Sequence, residues 1–143
     1  MLDSDTLYIA GPYSQIAQSA NVFNRRGLAR ISASGSGVID AAWNPQVGFN
    51  GTSEIAFSGD GRMFATPFMF DGSPSNIDAV SLAGSGATDP SWQVITDIGA
   101  GRLVRAGNTL YVGGNFTSIS GEPRRGLAAL PIDGLFGNGF EGQ

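Results

Sequence analysis

The pentapeptide Arg-Arg-Gly-Leu-Ala occurs twice in this chain, at residues 25–29 and again at residues 124–128. A chance match of five residues is improbable in a chain of 143, so the pair indicates an internal duplication. Self-similarity at a fixed spacing is the signature of repeat architectures. Any fold predicted for this chain must therefore accommodate two equivalent segments that start 99 residues apart.

Three further sets of matching residues give the period of the duplication. The sets are Leu7, Met63 and Leu110 in similar apolar runs, Ile31, Leu82 and Leu130 in a second run, and residues 40–43 with residues 89–92. Their spacings are 56 and 47, 51 and 48, and 49 residues respectively. These values agree on a period of about 50 residues, so the 99-residue offset corresponds to two periods.

Each copy consists of short β-prone runs that are separated by glycine-containing turns, and no apolar pattern of helical period is sustained. The best-covered copy predicts four strands, at residues 54–58, 62–66, 78–83 and 91–94. Four short antiparallel strands in about 50 residues are typical of one blade of a β-propeller. We therefore predict an all-β fold of propeller-type repeats, with about three repeats present.

One four-stranded blade cannot bury both of its faces, so neighbouring repeats must cover it. Residues 63–65 and 110–112 are apolar at successive positions, which predicts strands that are buried on both faces. The predicted organisation is a first, incomplete repeat at 1–53, a second at 54–101, a third, incomplete repeat at 102–134, and a tail at 135–143. Because propellers usually have four to eight blades, further repeats are expected in cis, or other copies of this chain in trans.

Composition excludes several functions. The chain contains no Cys, His or Lys, which removes thiol, imidazole and Schiff-base catalysis and ordinary zinc sites. Eight Arg against twelve acidic residues give a net charge of −4, which disfavours nucleic acid as a partner. No apolar stretch is long enough to insert into a membrane. We predict no catalytic residue, no metal and no cofactor.

The third copy resembles a known family. Residues 110–130 read LYVGGNFTSISGEPRRGLAAL and are followed by Asp133-Gly134, and residues 40–45 read DAAWNP. This succession is similar to the delta-60 repeat, a β-propeller-like repeat of large bacterial surface and secreted proteins. The resemblance implies a propeller-type fold and a location that is secreted or at the cell surface.

Two arginines and two aspartates recur with the period. Arg26 and Arg125 precede matching strands. They could bind a ligand, but we expect each of them to pair with a carboxylate or a carbonyl of a neighbouring blade. Asp40 and Asp89 recur 49 residues apart and are the expected partners of these arginines. The aspartates that directly precede glycine are expected to stabilise turns.

Aromatic residues and a glycine pair complete the set of repeat positions. Trp43 and Trp92 could stack on sugar rings, but periodic aromatic residues are expected to be wedges between blades, and Phe116 is interpreted in the same way. Gly113 and Gly114 superficially resemble a phosphate-binding loop, yet no lysine or helix follows them, so we interpret them as strand-end turns.

The sequence therefore predicts a non-catalytic repeat module of a secreted or surface protein, used for recognition or adhesion with a carbohydrate or protein ligand. One alternative is a structural subunit whose blades are completed between chains, as an oligomer or filament. Another is a fragment of a propeller glycoside hydrolase or lyase, which would need converging carboxylates or arginines in one pocket.

Overall fold

The computed structural model describes residues 2–3, 5–48, 50–69 and 72–133, and within them the chain forms fourteen β-strands and no helix. The strands are β1 (Leu2–Asp3), β2 (Thr6–Ala10), β3 (Gln15–Gln18), β4 (Asn21–Asn24), β5 (Leu28–Ser32), β6 (Thr52–Phe57), β7 (Arg62–Pro67), β8 (Ser75–Ser81), β9 (Val94–Thr96), β10 (Ala100–Ala106), β11 (Thr109–Gly114), β12 (Ser118–Ile119), β13 (Glu122–Pro123) and β14 (Leu127–Pro131). The predicted all-β fold class is confirmed.

The strands pair antiparallel. The first sheet has the order β1-β2-β5, the central sheet β13-β12-β9-β8-β7-β6 and the third sheet β10-β11-β14, while β3 and β4 form a separate hairpin. None of these sheets closes into a barrel. Three of the four strands predicted for the second copy coincide with β6, β7 and β8, with ends that differ by a few residues. The fourth is displaced, because residues 91–92 lie in a turn and β9 begins only at Val94.

The central sheet is covered on both faces. Met63 and Val80 belong to one core cluster, which they share with Tyr8 and Leu28 of the first sheet. Phe64 alternates with Met63 along β7 and belongs to the other cluster, shared with the third sheet. The first, central and third sheets are therefore successive layers, and the prediction of two buried faces is confirmed for residues 63–65.

The same prediction is wrong for residues 110–112. Leu110 and Val112 are buried, but Tyr111 between them is 41% exposed. Val104, the cross-strand partner of Tyr111, is 59% exposed, and Leu127 on the adjoining strand β14 is 63% exposed. The physical reason is that the third sheet is the last described layer, so its outer face, the face of Val104, Tyr111 and Leu127, has no layer over it within the described residues.

One turn is built twice with the same hydrogen bonds. The Ser32 amide donates to the Val38 carbonyl at 3.0 Å, and 49 residues later the Ser81 amide donates to the Ala87 carbonyl at 2.9 Å. The bridges Ile31↔Ile39 and Val80↔Thr88 keep the same offset. Val80 is therefore the counterpart of Ile31, and the predicted match of Ile31 to Leu82 is wrong by two residues.

The glycine of the repeated pentapeptide has the same role in both copies. Gly27 and Gly126 have φ values of +73° and +72°, a left-handed conformation that side chains disfavour. The Gly27 carbonyl accepts the Gly11 amide at 3.1 Å, and the Gly126 carbonyl accepts the Gly114 amide at 3.1 Å. Both copies thus need glycine where a hairpin returns to its sheet.

The predicted repeat boundaries fall close to strand starts. Strand β6 begins at Thr52 and β10 at Ala100, each two residues before the predicted boundaries at 54 and 102. The predicted tail at 135–143 lies outside the described residues.

Candidate functional site

The repeated aspartates bind arginines other than those expected from the sequence. Asp40 Oδ2 accepts a hydrogen bond from Arg30 Nε at 2.8 Å, and Asp89 Oδ2 accepts one from Arg62 Nη1 at 3.0 Å. Burial acts to raise the pKa of Asp40, but hydrogen bonds from Arg30 and the turn amides outweigh it and lower that pKa. The expected pairing of these aspartates with Arg26 and Arg125 is therefore wrong, because each carboxylate binds an arginine on a strand of its own sheet, Arg30 on β5 and Arg62 on β7.

The repeated aromatic residues lie in the core. Trp43 is fully buried, and its ring centroid is 5.3 Å from that of Tyr8, within the core cluster that the first and central sheets share. Trp92 is 6% exposed and lies 4.5 Å from the Phe64 ring. Phe116 is 1% exposed in the same core as Trp92. None of the three rings presents a face on which a sugar could stack.

The glycine pair belongs to the strand pairing of the third sheet. Gly113 and Gly114 end β11, opposite the bulge of β10 between Ala100 and Arg102. A Cβ on Gly114 would lie 3.0 Å from Ala100 Cα, closer than packed atoms normally approach. This pair therefore permits a close approach of two strands, and it does not form a turn or a phosphate loop.

The two repeated arginines have different environments. Arg125 is exposed beside the third sheet. Arg26 is partly buried, and its Nη1 donates to the Gly48 carbonyl at 3.4 Å. Arg26 also lines a cavity of about 350 Å³, whose lining includes Gln46, Gly48 and Asn50 between β5 and β6 in the chain. We call it the Asp78 cavity, after the acidic side chain in its wall.

The Asp78 cavity combines polar and apolar walls. Its polar lining includes Arg26, Gln46, Asn50, Asn76 and Asp78, and its apolar lining includes Pro67, Met69 and Pro74. A second, more open depression adjoins it and shares Arg26 and Gln46. Asp78 is the one carboxylate among the described residues that line the cavity.

Asp78 has this position because of strand alternation. It lies on β8 opposite Ala65, between Ile77 and Ala79, which face the third sheet. Its side chain therefore faces the first sheet, at the edge of the core. Within the described residues its carboxylate accepts no hydrogen bond, and burial raises its pKa to about 6. In β8 the polar residues 76 and 78 alternate with apolar ones. This alternation was the sequence signal for the site, and the sequence analysis did not use it.

The described residues offer little else for chemistry. No three acidic, histidine or cysteine side chains among them lie close enough together to hold a metal ion. None of them forms a helix capable of crossing a bilayer. Comparison of the chain with protein-family models, with curated proteins and with solved structures finds no match. The site is therefore interpreted from its own geometry.

The pKa of Asp78 predicts a pH-dependent stability. An acid whose pKa rises from 3.8 to about 6 on folding keeps a proton that the unfolded chain releases, so the free energy of unfolding falls between about pH 4 and pH 6. The difference between the pKa values of Asp78 in the unfolded and folded chain corresponds to about 3 kcal/mol of stability, which the partial exposure of this side chain reduces to about 1–2 kcal/mol. We expect Asp78→Asn to stabilise the protein by that amount at pH 7 and by almost nothing at pH 3.5.

Urea unfolding at pH 3.5 and pH 7 tests this expectation. The exposed Asp5 provides the matched control, because Asp5→Asn makes the same charge change outside the cavity. Equal effects of Asp78→Asn at both pH values would contradict the prediction.

Proposed function

We propose that this chain is a non-catalytic recognition module, built from about three propeller-type repeats of about 50 residues with four short strands each, in a secreted or cell-surface protein. The observation that carries the proposal is the Asp78 cavity, where a partly buried carboxylate has no hydrogen-bond donor among the described residues. A ligand that donates hydrogen bonds to this partly desolvated carboxylate would stabilise its charged form. The resemblance to the delta-60 repeat supports the location.

The repeat interpretation is supported by local geometry. The turn at residues 32–43 recurs with the same hydrogen bonds at residues 81–92. The hairpin β3–β4 follows β2, and the hairpin β12–β13 follows β11, before the chain returns to the sheet in each case. Successive layers that cover one another are what an open series of blades requires.

Binding is better supported than hydrolysis. Glycoside hydrolysis usually uses two carboxyl groups that flank the scissile bond. Asp78 is the one described carboxylate of its cavity, while Asp40, Asp60 and Asp89 each form an ion pair with an arginine. A propeller glycoside hydrolase or lyase is accordingly the less supported alternative.

Peptide and glycan arrays test the recognition role. The wild-type chain is expected to retain a defined class of ligand, and Asp78→Asn is expected to reduce that signal at least tenfold. Asp5→Asn serves as the control and should leave the signal unchanged. Arrays on which wild type and Asp78→Asn give the same signals would overturn the proposal.

Assembly through the third sheet is a second candidate function. Tyr8, Phe64 and Tyr111 occupy corresponding positions in the three sheets, and the first two pack against Trp43 and Trp92. Tyr111 instead stands on the exposed outer face of the third sheet. Residues 102–133 carry four arginines against Glu122 and Asp133, whereas the whole chain has a net charge of −4. This charge asymmetry favours head-to-tail contact with a second copy.

Light scattering distinguishes assembly from an isolated module. If copies cover the outer face of the third sheet, the wild type is oligomeric, and Val104→Glu weakens association at least tenfold because it places a charge in an apolar contact. Val22 is a matched control, since it is 61% exposed on β4 against 59% for Val104. A folded monomer at high protein concentration would exclude self-assembly and leave repeats in cis as the partners.

A further inference from the structure

We propose that the Asp78 cavity binds a lysine or arginine side chain of a partner protein, with the cationic group at the Asp78 carboxylate and the aliphatic stem along the apolar wall. This inference rests on the proposed recognition function and specifies the class of ligand. It follows from the charge, the walls and the size of the cavity.

The carboxylate provides the first argument. Asp78 is partly buried on β8, and burial is the cause of its raised pKa. Arg26 is the other charged residue described in the cavity lining, and no ion pair joins it to Asp78. Its guanidinium donates instead to the Gly48 carbonyl. A ligand cation would supply the missing counter-charge and charge-assisted hydrogen bonds.

The surrounding groups suit the rest of a basic side chain. Gln46, Asn50 and Asn76 contribute side-chain amides, whose oxygens accept hydrogen bonds from an ammonium or guanidinium group. Pro67, Met69 and Pro74 form the apolar part of the lining. Lysine and arginine bury their methylene stems on such surfaces while their charged ends remain with polar groups.

The volume favours a single side chain. At about 350 Å³ the cavity is at the small end of the range for ligand sites, about 300–1,000 Å³. The rings of Trp43 and Trp92 lie in the core, so neither is available to stack on a sugar in this cavity. The adjoining depression, which shares Arg26 and Gln46, provides room for the backbone of a partner segment.

Titration of the whole chain with blocked amino acids, followed by NMR shifts of residues 75–79, tests the proposal. The probes are N-acetyl-lysine methylamide, the arginine equivalent, the uncharged norleucine equivalent and methyl glucoside, each up to millimolar concentration because one side chain contributes little affinity. The basic probes are expected to bind at least tenfold more tightly than norleucine. Asp78→Asn should remove that preference, and Asp5→Asn should retain it.

The pH dependence provides a second readout. Asp78 loses its charge as the pH falls through about 6, so binding of the lysine probe should weaken about tenfold between pH 7.5 and pH 5. The other charged residue described in the cavity lining is Arg26, and the chain has no histidine. Asp78→Asn should show no such change.

The outcomes separate this inference from the proposed function. If neither basic probe binds, or if Asp78→Asn binds both unchanged, a basic side chain is not the ligand. If methyl glucoside or an array ligand still depends on Asp78, the recognition function stands and only the ligand class is wrong. If no probe and no array ligand depends on Asp78, both proposals fail.

Discussion

Gly27→Ala is expected to destabilise the protein by about 3–5 kcal/mol, whereas Gly126→Ala should cost only about 1–2 kcal/mol. A Cβ on Gly27 would lie 2.3 Å from the Gly11 oxygen and 2.3 Å from the Thr52 nitrogen. These are backbone atoms, and they are hydrogen-bonded to each other at 3.0 Å. On Gly126 the nearest atom would be the Gly114 oxygen, at 3.3 Å.

The two glycines make a matched pair because both belong to the repeated pentapeptide and their φ values differ by only one degree. The strain of a left-handed residue is therefore common to both variants. The difference between their free energies of unfolding reports the contact of the first sheet with the start of β6. Urea unfolding of the two variants measures that difference. Equal destabilisation would contradict the close contact between the first and central layers at Gly27.

The same pair shows what the sequence could predict. The offset of 99 residues identified equivalent positions, and the alternation of short apolar runs with glycine turns predicted the all-β fold. Their surroundings could not be predicted, because Gly27 is covered by the next layer while Gly126 belongs to the last described one. The burial predicted for Tyr111 is wrong for the same reason. A local apolar run does not reveal whether another layer covers the strand.

The candidate site was harder to predict than the fold. Asp40 and Asp89 were predicted to bind Arg26 and Arg125, but they bind Arg30 and Arg62. These partners depend on strand register, which the sequence left open by two residues in the middle copy. The described lining of the Asp78 cavity comes from three separate parts of the chain, namely residue 26, residues 46, 48 and 50, and strands β7 and β8 with residues 69 and 74 beside them. Cavities of this kind depend on how layers are stacked, and no local motif encodes that arrangement.

Trp43→Ala is expected to destabilise the protein by about 3–5 kcal/mol, the usual cost of removing a large buried aromatic side chain. Trp43 has no exposed surface, and its Nε1 donates to the Ser81 carbonyl at 3.0 Å across the two layers. Gly86 leaves room for the indole, because a Cβ there would lie 2.9 Å from Nε1. Trp43→Phe should cost less, about 1–3 kcal/mol, since it fills most of the space but leaves the Ser81 carbonyl without its donor.

Trp92 makes this experiment informative about cooperativity. Trp43→Ala leaves Trp92 as the sole tryptophan, and Trp92 belongs to the other core cluster, between the central and third sheets. Because β7 contributes to both clusters, we expect the fluorescence of Trp92 and the circular dichroism of the variant to follow one common transition at lower urea than in the wild type. A Trp92 signal that persists beyond the loss of the first sheet would show instead that the layers unfold one by one, as the nearest-neighbour energetics of repeat proteins allow.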